Sequence, residues 1–276
     1  MIKNAYANIR KAQYIIFIAK KRDAGNSTRK SIWTDAAKIG TCVGGIYMIN
    51  TILWDIDATL LDFHAAEHQA IKTLFEKFHL GKCTDEMIAR YSKINRSYWE
   101  RLERGEVTKP QVLVGRFEDF FASEGLDTSI APEFNKAYQL SLGDTIVFCD
   151  DSYNIVKSLK GKVRQYAVSN GTVVAQTKKL RLSGLGELFD GIFLSEELGV
   201  EKPNVEFFDK VFATIGPIHK DEVMIVGDSL TSDIRGGNNA GIHTCWYNPS
   251  KSPRNEGYQI DYEIADIHDI YAILNL

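Results

Sequence analysis

Two pairs of aspartates follow apolar runs in this sequence of 276 residues. Asp55 and Asp57 come directly after an apolar run at 49–54, and Asp228 and Asp233 come shortly after another such run. Buried carboxylates are costly unless a cation compensates them, and Mg²⁺ prefers a few carboxylates together with water and phosphate oxygens. If both runs are strands of one parallel sheet, their ends meet at one edge. The sequence therefore predicts a magnesium site there.

Groups that suit an anion follow two further apolar runs. Ser169 and Asn170 end the run at 163–168, and they offer a hydroxyl, an amide and backbone N–H groups at the start of a helix. Lys202 follows the run at 191–194 and can neutralise phosphate charge. Carboxylates, a hydroxyl and a lysine around a metal are the parts of a site for phosphoryl transfer.

The elements that must position these residues alternate between strands and helices. Such alternation is typical of a Rossmann-like, doubly wound parallel α/β sheet. The expected strands are 49–54, 163–168, 191–194, 222–226 and 242–246, and the expected helices between them are 172–182, 204–214 and 231–240.

A long segment with helical periodicity, residues 63–150, interrupts this alternation after the first strand. Its apolar residues recur at three- and four-residue steps, which predicts four or five helices. We expect this segment to form an inserted α-helical cap over the carboxyl ends of the strands. Residues 48–62 and 151–276 would then form the catalytic core.

The first 47 residues differ in charge from the rest of the chain. They hold 9 Lys and Arg against 2 Asp and Glu, whereas the whole chain has a net charge of -3. We interpret residues 1–47 as a basic N-terminal extension outside the fold, with Met48 as an alternative start of translation. A targeting leader or binding arm is the other reading of this segment.

Composition narrows the classes of partner. With 44% hydrophobic and 25% charged residues the chain is typical of a globular protein, and its charge gives no reason to expect a nucleic acid polymer. No apolar run approaches the ~20 residues that span a bilayer. The four cysteines lack the close spacing of metal or redox motifs. We expect a cytoplasmic monomer or homodimer that acts on a small molecule.

Four motifs together resemble the haloacid dehalogenase (HAD) superfamily, and the resemblance covers essentially all of 48–276. The motifs, in chain order, are DIDAT at 55–59, SNGT at 169–172, KP at 202–203 and GDSLTSD at 227–233. The resemblance implies a phosphatase that works through a phospho-aspartate and uses Mg²⁺.

Residue roles follow from the same resemblance. It implies that Asp55 is the nucleophile, that Asp57 is the general acid and base, and that Ser169 and Lys202 hold the phosphoryl group. The implied catalytic residues are Asp55, Asp57, Lys202 and Ser169. The implied phosphate-binding residues are Ser169, Asn170, Lys202 and Thr59. The implied metal ligands are Asp55, Asp57, Asp228 and Asp233.

One residue departs from the family pattern. Many relatives carry glycine directly after the second aspartate, and this chain has Ala58. If the position requires a positive φ, alanine fits it less comfortably than glycine.

Three further stretches resemble one branch of the superfamily, the nucleoside 5′-monophosphate phosphatases that prefer pyrimidines. They are GRFEDFF at 115–121, SEELGVEKPNVEFFD at 195–209 and GGNNAGIHTCWYNP at 236–249. The implied substrates are UMP, dUMP and dTMP. The alternatives are a sugar-phosphate or phosphoglycolate phosphatase, a phosphomutase, and a catalytically silent HAD-fold protein that binds nucleotides or a protein partner.

Two cap patterns have both a functional and a structural reading. Aromatic residues could stack on a base or simply pack between helices, and we favour packing for any single one of Tyr98, Trp99, Phe117, Phe120 and Phe121. The stretch His64 to His68 matches the zinc pattern H-x-x-E-H, with Glu67 as its acidic residue. We do not favour zinc, because no third ligand is evident.

Overall fold

A computed structural model describes residues 48–254 and 256–276 of the chain. The predictions for residues 1–47 lie outside the described residues. Ile49–Ile270 form one compact unit, which contains the whole sheet and all the site residues named above. Tyr271–Leu276 belong to a second unit, whose described part is a short helical end and Met48.

The core is a six-stranded parallel sheet with the order β3-β2-β1-β4-β5-β6, which confirms the predicted fold class. Central β1 has the sequence TILW, and all four of its residues are buried, as expected of a strand covered on both faces. The strands are β1 (Thr51–Trp54), β2 (Arg164–Ser169), β3 (Gly191–Leu194), β4 (Val223–Gly227), β5 (His243–Tyr247) and β6 (Tyr262–Ile264).

The strand order reverses at β1, and this reversal creates the crevice where such sheets bind ligands. The chain runs outward from β1 through β2 to β3, and then returns to place β4 on the other side of β1. In the register, Trp54 lies beside Ala167 of β2 and Val226 of β4. The residues that follow these three strands therefore emerge close together.

The sequence patterns located five of the six strands to within two residues at either end. They missed β6, whose three residues, YEI, include a charged side chain and only one fully buried position. A three-residue edge strand has no hydrophobic run by which to recognise it.

Four longer helices lie between β1 and residue 150, where an inserted helical cap was expected. They bury a shared aromatic core in which Phe117, Phe120 and Phe121 are fully inaccessible, so these three rings pack between helices. The helices are α1 (Phe63–Lys77), α2 (Asp85–Glu103), α3 (Lys109–Ser123) and α4 (Ala131–Ser141), with a 3₁₀ turn at Thr128–Ile130.

The two chain segments that enter and leave this helical group are hydrogen-bonded to each other. The backbone N–H of Asp62 donates to the carbonyl oxygen of Val147 at 2.8 Å, and Cys149 donates to Leu60 at 3.0 Å. Entry and exit therefore lie side by side, next to the end of β1.

The remaining helices flank the sheet. A second apolar cluster, which includes Leu53, Val168 and Ile225, packs between the sheet and the helix after β3. Within the described ranges, every helix is too short or too polar to cross a membrane. These elements are α5 (Ser152–Leu159), α6 (Val173–Ser183), α7 (Ser195–Leu198), α8 (Val205–Ile215), a π-helical turn (Leu230–Ile234), α9 (Arg235–Ala240), and 3₁₀ turns at Leu185–Glu187, Lys220–Glu222 and Ile267–Asp269. A short helix, α10 (Ile270–Leu274), follows in the chain.

Candidate active site

Three carboxylates converge at the carboxyl edge of the sheet around one buried lysine. Asp55 follows β1, Asp228 follows β4, and Asp233 lies in the π-helical turn, with one oxygen of each within 4.8 Å of the others. Lys202 Nζ donates to an Oδ1 of Asp55 and to an Oδ1 of Asp233, both at 2.7 Å. The structure thus brings together four of the residues that the sequence singled out.

Lys202 is held by its backbone as well as by its side chain. Only 1% of it is exposed, and its Nζ also donates to the carbonyl oxygen of Val168 at 2.9 Å. The side chain of Asn170 accepts from the Lys202 N–H at 2.9 Å and donates to its carbonyl oxygen at 2.9 Å. Asn170, predicted to bind phosphate, therefore uses its amide to position Lys202.

The charges in this cluster do not balance. Burial raises the pKa of Asp55 well above its usual value despite the nearby Lys202. Burial, and then repulsion by Asp233, raises the pKa of Asp228 to about 7. Burial alone would lower the pKa of Lys202, but attraction to Asp233 and Asp55 outweighs it and raises that pKa. One lysine therefore leaves an excess of negative charge among three carboxylates.

A divalent cation would neutralise this excess negative charge. The three carboxylates offer only oxygen ligands, which suit a hard cation such as Mg²⁺. Among the described residues, this is the one group of three or more acidic, histidine or cysteine side chains close enough to share a metal ion. Asp55, Asp228 and Asp233 therefore fit a magnesium site.

Thr59 orients one of these carboxylates. Its hydroxyl accepts from the backbone N–H of Asp228 at 3.0 Å and donates to the Asp228 carboxylate at 3.3 Å. Thr59 is fully buried and its hydroxyl contacts Asp228, whereas the sequence analysis predicted that Thr59 would bind the phosphate. The indole of Trp246 adds a further restraint by donating to the carbonyl oxygen of Asp228 at 2.8 Å.

The Asp233 side chain reaches the cluster by lying against the backbone of Gly227. A Cβ atom at Gly227 would collide with the Asp233 carboxylate, so only glycine fits at this point. The backbone N–H of Ser229 donates to the other Asp233 oxygen at 3.2 Å. The π-helical geometry of this turn is common at functional sites.

Ser169 lies at the end of β2 with its hydroxyl turned into the following loop. Its Oγ accepts from the backbone N–H of Gly171 at 3.0 Å, and only 2% of the residue is exposed. Both residues line the same cavity as Asp55. Ser169 therefore lines the cavity that holds Asp55, just before α6, and its contact with phosphate stays a prediction.

Asp57 points away from the carboxylate cluster and is paired with α6. Lys179 Nζ and Gln176 Nε2 each donate to one of its oxygens, both at 2.5 Å. Lys179 is 2% exposed, and it also lies over the Phe63 ring at 5.2 Å. The sequence analysis missed Gln176 and Lys179. Their spacing of three residues places them on one face of the predicted helix 172–182, and this is the signal that could have identified them.

Ala58, the departure from the family pattern, has a φ of 64°. An L-residue other than glycine pays about 1–2 kcal/mol in this region. The Ala58 N–H donates to the carbonyl oxygen of Leu61 at 2.8 Å within this loop.

We expect Ala58→Gly to raise the free energy of unfolding by roughly 0.5–1 kcal/mol, because glycine adopts this φ without strain. Urea unfolding followed by circular dichroism measures the change. Ala89→Gly, on the exposed face of α2, is the matched control and should lower stability by about 1 kcal/mol. A loss of stability in Ala58→Gly would show that the loop does not store this strain.

A cavity of about 230 Å³ lies between this cluster and the helices α1 to α4. Part of its wall is a hydrogen-bonded polar group in which Asn95 accepts from Arg116 at 2.7 Å and from the Trp99 indole at 3.0 Å. Asn95 also donates to Glu67 at 3.0 Å. Buried polar groups of this kind fix the orientation of a ligand in a pocket.

Glu103, the last residue of α2, lines the same cavity close to the carboxylate cluster. Burial raises its pKa to about 7, although a hydrogen bond with Thr231 opposes the shift. Its Oε2 is buried and has no hydrogen-bond partner among the described residues. No sequence pattern marked this residue.

The H-x-x-E-H pattern does not assemble a metal site. His68 pairs with Asp85 at 3.0 Å on the surface, while Glu67 is 1% exposed and hydrogen-bonded to Ser92 and Asn95. The preferred reading of this stretch, as ordinary helix residues, agrees with this geometry.

The chain matches the family model described as haloacid dehalogenase-like hydrolase over residues 52–247. It is 37% identical to YfnB of Bacillus subtilis over 226 residues, which cover 82% of this chain and 95% of YfnB. The crystal structure of YfnB bound to magnesium superimposes with a TM-score of 0.79 and 36% identity, over 83% of this chain and all of YfnB.

Two other relatives are pyrimidine 5′-nucleotidases. The chain is 33% identical to PynA of Streptococcus pneumoniae over 81% of its own length and 94% of PynA. It is 28% identical to YjjG of Escherichia coli over 81% of its length and 96% of YjjG. In each comparison nearly the whole relative is matched.

Proposed function

This chain belongs to the haloacid dehalogenase-like hydrolase family, and we propose that it hydrolyses phosphomonoesters through a phospho-aspartate at Asp55. The preferred substrates in this proposal are pyrimidine nucleoside 5′-monophosphates. The single observation that carries the proposal is the buried cluster of Asp55, Asp228 and Asp233 around Lys202 at the reversal of strand order.

The proposed reaction has two steps on one aspartate. An oxygen of Asp55 attacks phosphorus, the bond to the ester oxygen breaks, and Asp57 gives that oxygen a proton. Water then attacks the phosphorus of the acyl phosphate, Asp57 takes the proton, and phosphate leaves with Asp55 regenerated. The nucleophile and the acid must be separate carboxylates, as the different surroundings of Asp55 and Asp57 allow.

Lys202 and Ser169 hold the phosphoryl group in this proposal. Lys202 is already fixed by Asp55 and Asp233, so its charge needs no reorganisation when an anionic group arrives. The Ser169 hydroxyl supplies a donor for a phosphate oxygen.

Asp55, Asp228 and Asp233 would hold Mg²⁺, with Thr59 orienting Asp228. When bound, the ion offsets the repulsion between the carboxylates and the anionic phosphate. Asp57 was also predicted to be a metal ligand, and its side chain lies outside this group, paired with Lys179. The magnesium-bound structure of YfnB supports the choice of ion.

The nucleotide part of the proposal is supported by the relatives and by the cavity. PynA and YjjG are pyrimidine 5′-nucleotidases that align over nearly their full lengths. The part of the cavity wall formed by Asn95, Arg116 and Trp99 is polar, and Arg116 Nε is buried there without a hydrogen-bond partner among the described residues, which suits a base with polar edges.

Phosphate release from a panel of esters with Mg²⁺ tests the proposal. The panel holds UMP, dUMP, dTMP, AMP, GMP, phosphoglycolate and several sugar phosphates. Pyrimidine nucleotides should give the highest kcat/KM. Activity led by sugar phosphates or phosphoglycolate would keep the mechanism and overturn the substrate. No release from any ester would favour a silent binding protein or a mutase.

Lys179 offers a test of how Asp57 is positioned. We expect Lys179→Met to lower kcat/KM for UMP by about 10²-fold, because Asp57 loses the partner that holds it and the nucleoside oxygen needs a proton to leave. The kcat/KM for p-nitrophenyl phosphate should fall by less than about threefold, since this ratio reports the first step and nitrophenolate leaves without protonation.

The neighbouring Lys178 provides the control for this prediction. It pairs with Asp144 and donates to the carbonyl oxygen of Leu140 at 2.9 Å, away from the cavity. Lys178→Met should change neither substrate's kcat/KM. An equal loss on both esters in Lys179→Met would indicate a general packing defect rather than a role in positioning the acid.

A further inference from the structure

Glu103 presents an unsatisfied acceptor inside the cavity. Its Oε2 is buried and lacks a hydrogen-bond partner among the described residues. Leaving a buried acceptor without a donor is unfavourable, and more so for a charged group. Such a group is expected to be matched by a donor on the ligand.

The position of Glu103 restricts which part of a ligand could supply that donor. The helix α2, which ends at Glu103, contacts the π-helical turn that carries Asp233, and Glu103 lines the same cavity as Asp233 and Lys202. Asn95 and Trp99, eight and four residues earlier on α2, line that cavity further along the helix. Glu103 therefore lies between the site proposed for the phosphate and the site proposed for the base.

In a nucleoside 5′-monophosphate, the group between phosphate and base is the sugar. Its 3′-hydroxyl is separated from the phosphate oxygen by only three carbons, and it is common to UMP, dUMP and dTMP. The phosphate itself carries no donor when ionised, and a pyrimidine base lies further away.

We propose that the Glu103 carboxylate accepts a hydrogen bond from the 3′-hydroxyl of the substrate sugar and so selects hydroxylated sugar phosphates. The inference rests on the proposed nucleotidase function and adds a specificity-determining residue to it. Hydrogen bonds between a hydroxyl and a carboxylate are about twice as strong as neutral ones. A site built for a hydroxyl also discriminates strongly against ligands that lack it.

The proposed hydrogen bond is tested by removing either the Glu103 carboxylate or the 3′-hydroxyl of the substrate. kcat/KM is measured for dTMP and for 3′-deoxythymidine 5′-monophosphate, which differ by one hydroxyl, with saturating Mg²⁺ at about pH 8, above the pKa of Glu103. The unmodified enzyme should prefer dTMP by roughly tenfold or more. In Glu103→Leu this preference should fall to about one, because the acceptor is gone.

Glu100 provides a matched control one helical turn earlier. It carries the same charge on α2 but does not line the cavity. Glu100→Leu should keep the full preference for dTMP. If Glu103→Leu does not fold, Glu103→Gln keeps the shape and should reduce the preference at least about threefold, since a neutral acceptor binds the hydroxyl less strongly.

Three outcomes would overturn the inference. If Glu103→Leu slows both nucleotides equally, Glu103 acts on the metal or on cavity closure. If the unmodified enzyme does not distinguish the two nucleotides, the 3′-hydroxyl is not bound, although the proposed function stands. If it hydrolyses neither nucleotide but does hydrolyse other esters, the nucleotide proposal fails and the inference fails with it.

Discussion

Asp55→Asn should reduce phosphate release from every ester by roughly 10⁴-fold or more, because the proposed nucleophile is lost and an amide cannot replace it. Asp55 contacts Lys202 and lies within the group of carboxylates that could hold a metal ion. The measurement is steady-state phosphate release with UMP and with p-nitrophenyl phosphate. Both esters should lose activity to the same extent, because each needs the phospho-aspartate.

Folding should survive this substitution, so the loss can be assigned to chemistry. Burial raises the pKa of Asp55, which means that its negative charge is unfavourable in the fold. Lys202 keeps Asp233 as a partner when Asp55 becomes neutral. We therefore expect the free energy of unfolding to change by less than about 1 kcal/mol. More than about 1% residual activity would contradict the assignment of Asp55 as nucleophile.

The fold could be predicted because its strands are buried on both faces. Runs such as TILW at 51–54 and VMIV at 223–226 are continuous and largely apolar, and an aspartate follows each within two residues. Parallel strands must align their carboxyl ends, so placing the strands also places Asp55 and Asp228 near each other. The reasoning fails at β6, where the chain pairs for only three residues and buries little.

The hydrogen-bond partners of the polar residues in the site could not be predicted in the same way. Thr59 and Asn170 lie next to the expected phosphate site, but their side chains hold Asp228 and Lys202. A sequence gives the type of a side chain and its approximate place, whereas the hydrogen bonds that it makes depend on rotamers and on neighbours distant in sequence. Lys179 illustrates this, since its partner Asp57 is 122 positions away.

Helix periodicity likewise predicts which faces of a helix are buried. It does not predict whether a buried face packs in a hydrophobic core or lines a polar cavity. Phe117, Phe120 and Phe121 meet one another and the other helices, as the packing interpretation held. Glu67 and Arg116 lie on equally buried faces and carry charge there. Their spacing resembles that of core residues, so only the three-dimensional arrangement distinguishes a polar cavity wall from a core.

Lys202→Met should be the most destabilising single change in the site. Lys202 is 1% exposed and is the cation that the carboxylates of Asp55 and Asp233 share. Methionine keeps the length of the side chain but leaves buried charges without compensation, a change that costs about 3–5 kcal/mol. Urea unfolding without added metal measures the loss. Lys72→Met, which breaks an exposed pair with Asp85, should cost less than about 1 kcal/mol.

A double substitution separates this electrostatic effect from a loss of packing. In the Lys202→Met background, Asp55→Asn removes one of the uncompensated charges and should restore stability by at least about 1 kcal/mol, whereas alone it should have little effect. If Lys202→Met disrupts packing instead, the two changes should simply add. Mg²⁺ should stabilise Lys202→Met more than the unmodified protein, because the cation would then be the main compensation for three carboxylates.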